Sequence, residues 1–205
     1  MTRALLSAVI VILIASAEAS AHRLDEYLQA SRVSLGLGRI SVEIDLTPGA
    51  SIALGIITLL DRDRDGLISP LEATAYGEDV LSDVVVEFDG LPVPLTLARV
   101  EVPPVDDMRQ GFGAIRLQAL SELGSFGGGR HHVRLRNRHA PLFSVYLVNA
   151  LIPEVRDIRV IAQTRDPQQQ EVRIEYEVRS DGLVQLVSVA LAVGGCGVLV
   201  WFRRS

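Results

Sequence analysis

Ile40, Val42, Ile44 and Leu46 alternate with Ser41, Glu43, Asp45 and Thr47. A period of two puts every apolar side chain on one face of an extended segment and every polar one on the other. The pattern returns late in the chain, where Val172, Ile174, Tyr176 and Val178 alternate with Glu171, Arg173, Glu175 and Glu177. A helix would scatter either set around its axis, because its period is 3.6 residues. Each run is therefore a strand with one buried and one solvated face, and these two runs constrain the fold more than any other feature.

Further strands are expected at Tyr27 to Leu37, Ala114 to Leu120, His132 to Asn137, Phe143 to Ile152 and Ile158 to Thr164. Asp166-Pro167-Gln168 is a turn by composition. Val84 to Phe88, then Asp89-Gly90, then Leu91 to Val102 predicts a hairpin with a tight two-residue turn. Gly127-Gly128-Gly129 reads as a loop, since a phosphate cradle would want an adjoining helix. No internal repeat is present. Eight or nine strands at short spacing predict a mainly β fold, an antiparallel β-sandwich.

One segment breaks the strand pattern. Asp61-Arg62-Asp63-Arg64-Asp65-Gly66-Leu67-Ile68-Ser69-Pro70-Leu71-Glu72 places three short carboxylates at alternate positions, with Arg62 and Arg64 directed outward between them. Gly66 follows where a sharp turn needs a residue without a Cβ. Leu67 need supply only its backbone carbonyl, Ile68 is apolar and suited to packing inward, and Ser69 offers a hydroxyl. Glu72 has the reach to offer both carboxylate oxygens. Ser69-Pro70-Leu71-Glu72 is also a capping box with Pro at the first helical position, so a helix should begin here.

This stretch resembles the calcium loop of the EF-hand family, and the resemblance covers the loop and its flanking helices. It implies Ca²⁺ as the bound ion, with Asp61, Asp63, Asp65, Leu67, Ser69 and Glu72 as ligands at loop positions 1, 3, 5, 7, 9 and 12. A bidentate Glu72 would favour Ca²⁺ over the smaller, octahedral Mg²⁺. The flanks agree. Thr47-Pro48-Gly49 precedes Ile52, Ile56, Leu59 and Leu60 at helical spacing, and Pro70 to about Asp83 carries Leu71, Ala75, Tyr76 and Leu81. Gly77 weakens the second helix. The insertion thus spans about 48–83. EF-hands usually pair, yet Asp79 and Asp83, Asp106-Asp107 and Asp181-Gly182 all lack the spacing of a second loop. A lone hand on another scaffold implies weak affinity, with about 10⁻⁴–10⁻³ M typical of extracellular modules.

Both ends of the chain are apolar. Residues 1–21 read as a secretory signal peptide: Arg3, then the apolar Leu5 to Ile14, then an Ala19-Ser20-Ala21 cleavage site that leaves His22 first. Leu183 to Phe202 is a run of about 20 residues with Gln185 as its only strongly polar member, long enough to span a bilayer. Trp201-Phe202 suits the interface and Arg203-Arg204 the cytoplasmic side. The expectation is one exported domain, 22–182, anchored by a single transmembrane helix, 183–202, with a cytoplasmic tail at 203–205. It places the domain on the periplasmic or extracellular side.

That domain holds 17 basic and 24 acidic residues, a net charge of −7, which argues against nucleic-acid binding. Cys196 is the only cysteine and lies in the apolar run, so the domain cannot form an internal disulfide.

Other candidates point elsewhere. A mature N-terminal His22 offers an amine and an imidazole on one residue, a brace for copper or nickel if His131, His132 or His139 approaches it. His132, Arg134, Arg136 and Arg138 share one strand face, either a basic stripe for an acidic partner or a solvated face paired with acidic neighbours. Gly124-Ser125-Phe126-Gly127 is not a nucleophile elbow, and no enzymatic motif stands out. A signal peptide, then His22-Arg23-Leu24-Asp25-Glu26-Tyr27-Leu28, then a β-rich region also resembles the exported N-terminal part of bacterial nickel/cobalt and hydrogenase/urease accessory permeases. Those continue into several spans, so the resemblance implies an accessory or partner-binding role beside a multi-span membrane protein. The sequence favours a non-catalytic calcium-binding protein over both of these readings.

Overall fold

The alternating run at Ile40–Leu46 becomes one strand of a two-sheet sandwich in the computed structural model, which describes residues 25–124, 126–153 and 155–179. The expected signal peptide 1–21, His22, the expected transmembrane helix 183–202 and the expected cytoplasmic tail 203–205 lie outside the described residues. Among the described residues no helix is long and apolar enough to cross a membrane.

The chain opens with β1 (Tyr27–Gly36) and β2 (Arg39–Pro48), an antiparallel pair whose inward residues alternate in register. Two helices follow, α1 (Ala50–Leu60) and α2 (Pro70–Ser82), and the chain returns through β3 (Val84–Phe88) and β4 (Leu91–Val93). Next come β5 (Thr96–Glu101), a short α3 (Val105–Arg109), β6 (Ile115–Glu122) and β7 (Gly129–Asn137). The last strands are β8 (Ser144–Ala150), β9 (Ile158–Arg165) and β10 (Glu171–Val178). One sheet runs β5-β6-β2-β1-β8 and the other β4-β3-β7-β10-β9. The fold is mainly β, and the helix pair enters between β2 and β3 where the sequence places it.

One core joins the layers. Ile40, Ile44 and Leu46 come from the first sheet, Leu135, Ile174 and Tyr176 from the second, and Leu60 and Val80 from the helices; all are buried. Each aliphatic side chain fully removed from water stabilises the fold by about 1.5–3 kcal/mol before entropy is counted.

Two expectations need correction, and one element is new. The sandwich is not wholly antiparallel, because β1 and β8 pair in parallel from Tyr27 opposite Ser144 to Val33 opposite Ala150. More than a hundred residues separate these strands, so no short hairpin forces them to run antiparallel. The expected second hairpin strand, Leu91 to Val102, is two strands in different sheets. Pro94 lies in the gap between them, where it has no N–H to give a ladder. The short helix α3 was unforeseen. Pro104 stands at its N-cap, Asp106 and Asp107 lie in its first turn, Arg109 in its last, and Met108 is buried. That signal is readable, but five residues give no periodicity.

The turn at Asp89-Gly90 forms as expected. Both residues have positive φ, 48° and 82°, the combination a two-residue hairpin turn requires. Asp89 also accepts from the His132 N–H at 2.8 Å and contacts His131 Nδ1 at 2.8 Å.

Candidate metal centre

The acidic loop spans the gap between α1 and α2, and its backbone is organised by its own side chains. Asp61 follows the last turn of α1, where its N–H donates to the Ile57 carbonyl at 2.8 Å. Its carboxylate is largely buried and accepts from the Asp65 N–H at 3.1 Å and the Gly66 N–H at 3.0 Å. Asp63 Oδ1 accepts from the Asp65 N–H at 3.1 Å, and Asp65 Oδ1 from the Leu67 N–H at 2.8 Å. Gly66 has φ 86°, the left-handed region where a Cβ is penalised, so the sharp turn expected at this position is present.

The result is convergence. Asp61, Asp63 and Asp65 each present a carboxylate oxygen, and those oxygens lie within 4.8 Å of one another. Among the described residues no other such group of three is found. Hard oxygen donors at this spacing suit a hard divalent cation, and three carboxylates this close repel one another without one.

Glu72 sits differently. Its Oε1 accepts from the N–H groups of Arg62 at 2.8 Å and Asp63 at 3.3 Å. Its Oε2 accepts from the Ser69 N–H at 2.9 Å and the Ser69 hydroxyl at 2.8 Å. The Glu72 N–H in turn donates to Ser69 Oγ at 3.3 Å, completing the capping box at the start of α2. These bonds, the Ser69 backbone foremost, hold the Glu72 carboxyl down at about 2 against the upward push of burial. Glu72 therefore latches the two ends of the loop together and is not a member of the aspartate group. All four of its lone-pair sites are used, so an ion gaining this carboxylate would displace N–H donors.

The remaining loop positions divide. Ser69 is committed to Glu72, Ile68 packs against the core as expected, and the Leu67 side chain is 70% exposed. Arg62, directed outward and half-exposed as expected, also bridges from the loop to Asp79 on α2 at 2.6 Å.

The insertion is fastened to the sandwich by contacts the sequence did not reveal. Tyr76 lies one turn beyond Glu72, and its hydroxyl meets that of Tyr27 on β1 at 2.6 Å. Asp83, the C-cap of α2, contacts His139 Nδ1 at 2.9 Å, and the His139 ring lies edge-on to both tyrosines.

Among the described residues, His131, His132 and His139 do not come together at one point. His131 has Nδ1 on Asp89 and Nε2 on the Gly127 carbonyl, and its neighbour His132 faces the other side of β7. His139 lies beyond the far end of that strand. Within the stripe of His132, Arg134, Arg136 and Arg138, Arg134 contacts Glu87 and Glu171 on the neighbouring strands, whereas Arg136 Nε is buried without a hydrogen-bond partner.

Comparison of the sequence with models of known protein families gave no match, and comparison with curated proteins gave none either.

Proposed function

We propose that this chain is an exported, membrane-anchored β-sandwich that binds Ca²⁺ non-catalytically at an EF-hand-like insertion. The observation that carries the reading is the convergence of the Asp61, Asp63 and Asp65 carboxylates within 4.8 Å. The Gly66 turn and the position of Glu72 at the loop's close support it. The Leu67 carbonyl and Ser69 complete the ligand set by analogy with the family loop. The ion relieves the repulsion among the three aspartates and fixes the angle between α1 and α2. Its role is structural, holding the helix pair against the sandwich through Tyr76 and Asp83. The domain faces the exterior, where calcium is plentiful, which suits a weak site. The span at 183–202 anchors it.

Linkage provides the test. An ion that binds only the folded chain stabilises it by about 1.4 kcal/mol at ten times its dissociation constant. Thermal melting of the detergent-solubilised chain with Ca²⁺ and with chelator should differ, and the difference should vanish in Asp63→Asn. A melt unchanged across millimolar Ca²⁺ would sink the reading.

A further inference from the structure

Most outward strand faces in this sandwich are polar. β2 presents Ser41, Glu43 and Asp45, and β10 presents Arg173, Glu175 and Glu177. The edge strand β8 differs. Tyr146 and Val148 face the core, while Val145 and Leu147 face outward and are exposed. Leu28, the register partner of Val145 on β1, is exposed beside them. The apolar surface continues past the end of β8 into Leu151 and Ile152, the latter 92% exposed. Ile152 and Pro153 line a groove with Ile158 and Val160 at the start of the other edge strand, β9. The one charged lining residue is Arg159, which is paired with Glu177 at 2.6 Å, so no isolated charge opposes an apolar occupant.

The path of the chain says what that occupant is. Val178, the last residue of β10, pairs with Ile158, and the Arg179 N–H donates to the Asp157 carbonyl at 2.9 Å. The chain thus leaves the sandwich beside the apolar groove. Leu183, where the 20-residue apolar run begins, is four residues further on, a reach of at most about 14 Å. An apolar edge held that close to a membrane span lies at the lipid interface, where side chains enter the headgroup boundary by about 5–10 Å.

We propose that the β8–β9 edge, led by Leu151 and Ile152, docks on the bilayer surface and orients the domain there. The inference rests on the anchored topology proposed above. The insertion roots at the other end of the sandwich. Val84 is opposite Asn137, and Val178 is opposite Gly129 at the other end of the same strand β7. Docking led by Leu151 and Ile152, beyond the Ala150 end of β8, therefore holds those roots away from the lipid.

The test uses the full-length chain in vesicles of phosphatidylcholine and phosphatidylglycerol. Cys196 is the only cysteine, so it can carry a fluorescent label as the reporter of the span. In a Cys196→Ser background, Ile152→Cys reports the edge, and Leu54→Cys, on exposed α1, is the control. Docking predicts that the label at 152 shifts to the blue and loses most of its emission to lipids carrying a nitroxide near the headgroup. The label at 54 should do neither, and Cys196 should be quenched by a nitroxide deep in the acyl chains. A quenched Cys196 with an unshifted, unquenched 152 overturns docking and leaves the anchor standing. An unquenched Cys196 removes anchor and docking together. Pyrene excimers at 152 that persist on dilution with lipid assign the edge to a second copy and also overturn the proposal.

Discussion

The hydroxyls of Tyr27 and Tyr76 are 2.6 Å apart with both rings buried, and this bond ties the first strand of the sandwich to the helix that follows the acidic loop. Tyr76 stands one helical turn from Glu72, so the loop's closing residue and the sheet are linked through a single rigid turn of α2.

Removing one partner should cost more than removing both. Tyr76→Phe leaves the Tyr27 hydroxyl buried without its partner, a penalty of about 1–3 kcal/mol. Tyr27→Phe with Tyr76→Phe should recover much of that loss, because neither site then holds an orphaned polar group. Urea unfolding of the two single variants and the double variant measures the coupling. Strict additivity would show that the bond does not join the two elements energetically.

Alkaline pH should loosen the same junction. Burial, with Tyr76 adding to it, raises the Tyr27 hydroxyl well above its ordinary 10. Burial pushes the Tyr76 hydroxyl to about 12, a shift reinforced by Asp79 and opposed by the Tyr27 hydrogen bond. The folded state keeps protons that the unfolded chain releases, so the stability these two groups contribute is level below pH 10 and falls as pH rises from about 10 through 12. Melting temperature against pH should show this decline, and the double Phe variant should reduce it, the remainder coming from the buried Tyr146 and Tyr176 hydroxyls, which are also raised.

Calcium should act on specific amides. Glu72 must surrender N–H donors to coordinate an ion, so the Arg62, Asp63 and Ser69 amide resonances are expected to move most on titration. Glu72→Gln, which exchanges one acceptor oxygen for a donor, should weaken binding and also lower stability without calcium. A variant as stable as the parent in chelator would contradict the latch described for Glu72.

Gly77 tests the seat of α2. A Cβ there would lie 2.9 Å from Leu97 Cδ2 and 3.3 Å from Leu117 Cδ2. Helix propensity alone favours replacing this glycine by about 1 kcal/mol. Gly77→Ala should come out near neutral, because the end of Leu97 can move. Gly77→Val should destabilise by about 1–3 kcal/mol through overpacking. Chemical denaturation of the pair distinguishes close packing from a mere weakness of the helix.

Legibility in the sequence followed the range of the interaction. The strands at Arg39–Pro48 and Glu171–Val178 were readable from a period of two, and the start of α2 from Ser69, Pro70 and Glu72. The convergence of Asp61, Asp63 and Asp65 follows from spacing within one loop. Glu72 was harder. Its position was readable, but its hydrogen bonds to Arg62 and Asp63 depend on how the loop closes across ten residues. The break at Pro94 carried a signal, since proline cannot donate to a ladder. Which sheet β5 then joins carried none.

By itself the sequence determined what short-range geometry controls: which strand faces are apolar, the left-handed turns at Gly66 and Asp89-Gly90, the capping box, and three aspartates at loop spacing. Only the tertiary structure decided the parallel pairing of β1 with β8, the meeting of Tyr27 with Tyr76, and the placing of Leu151 and Ile152 beside Ile158 near the chain's exit. The reason is physical. Side-chain period and backbone dihedral are properties of neighbouring residues, whereas pairing partners are chosen by the shared burial of segments far apart in the chain.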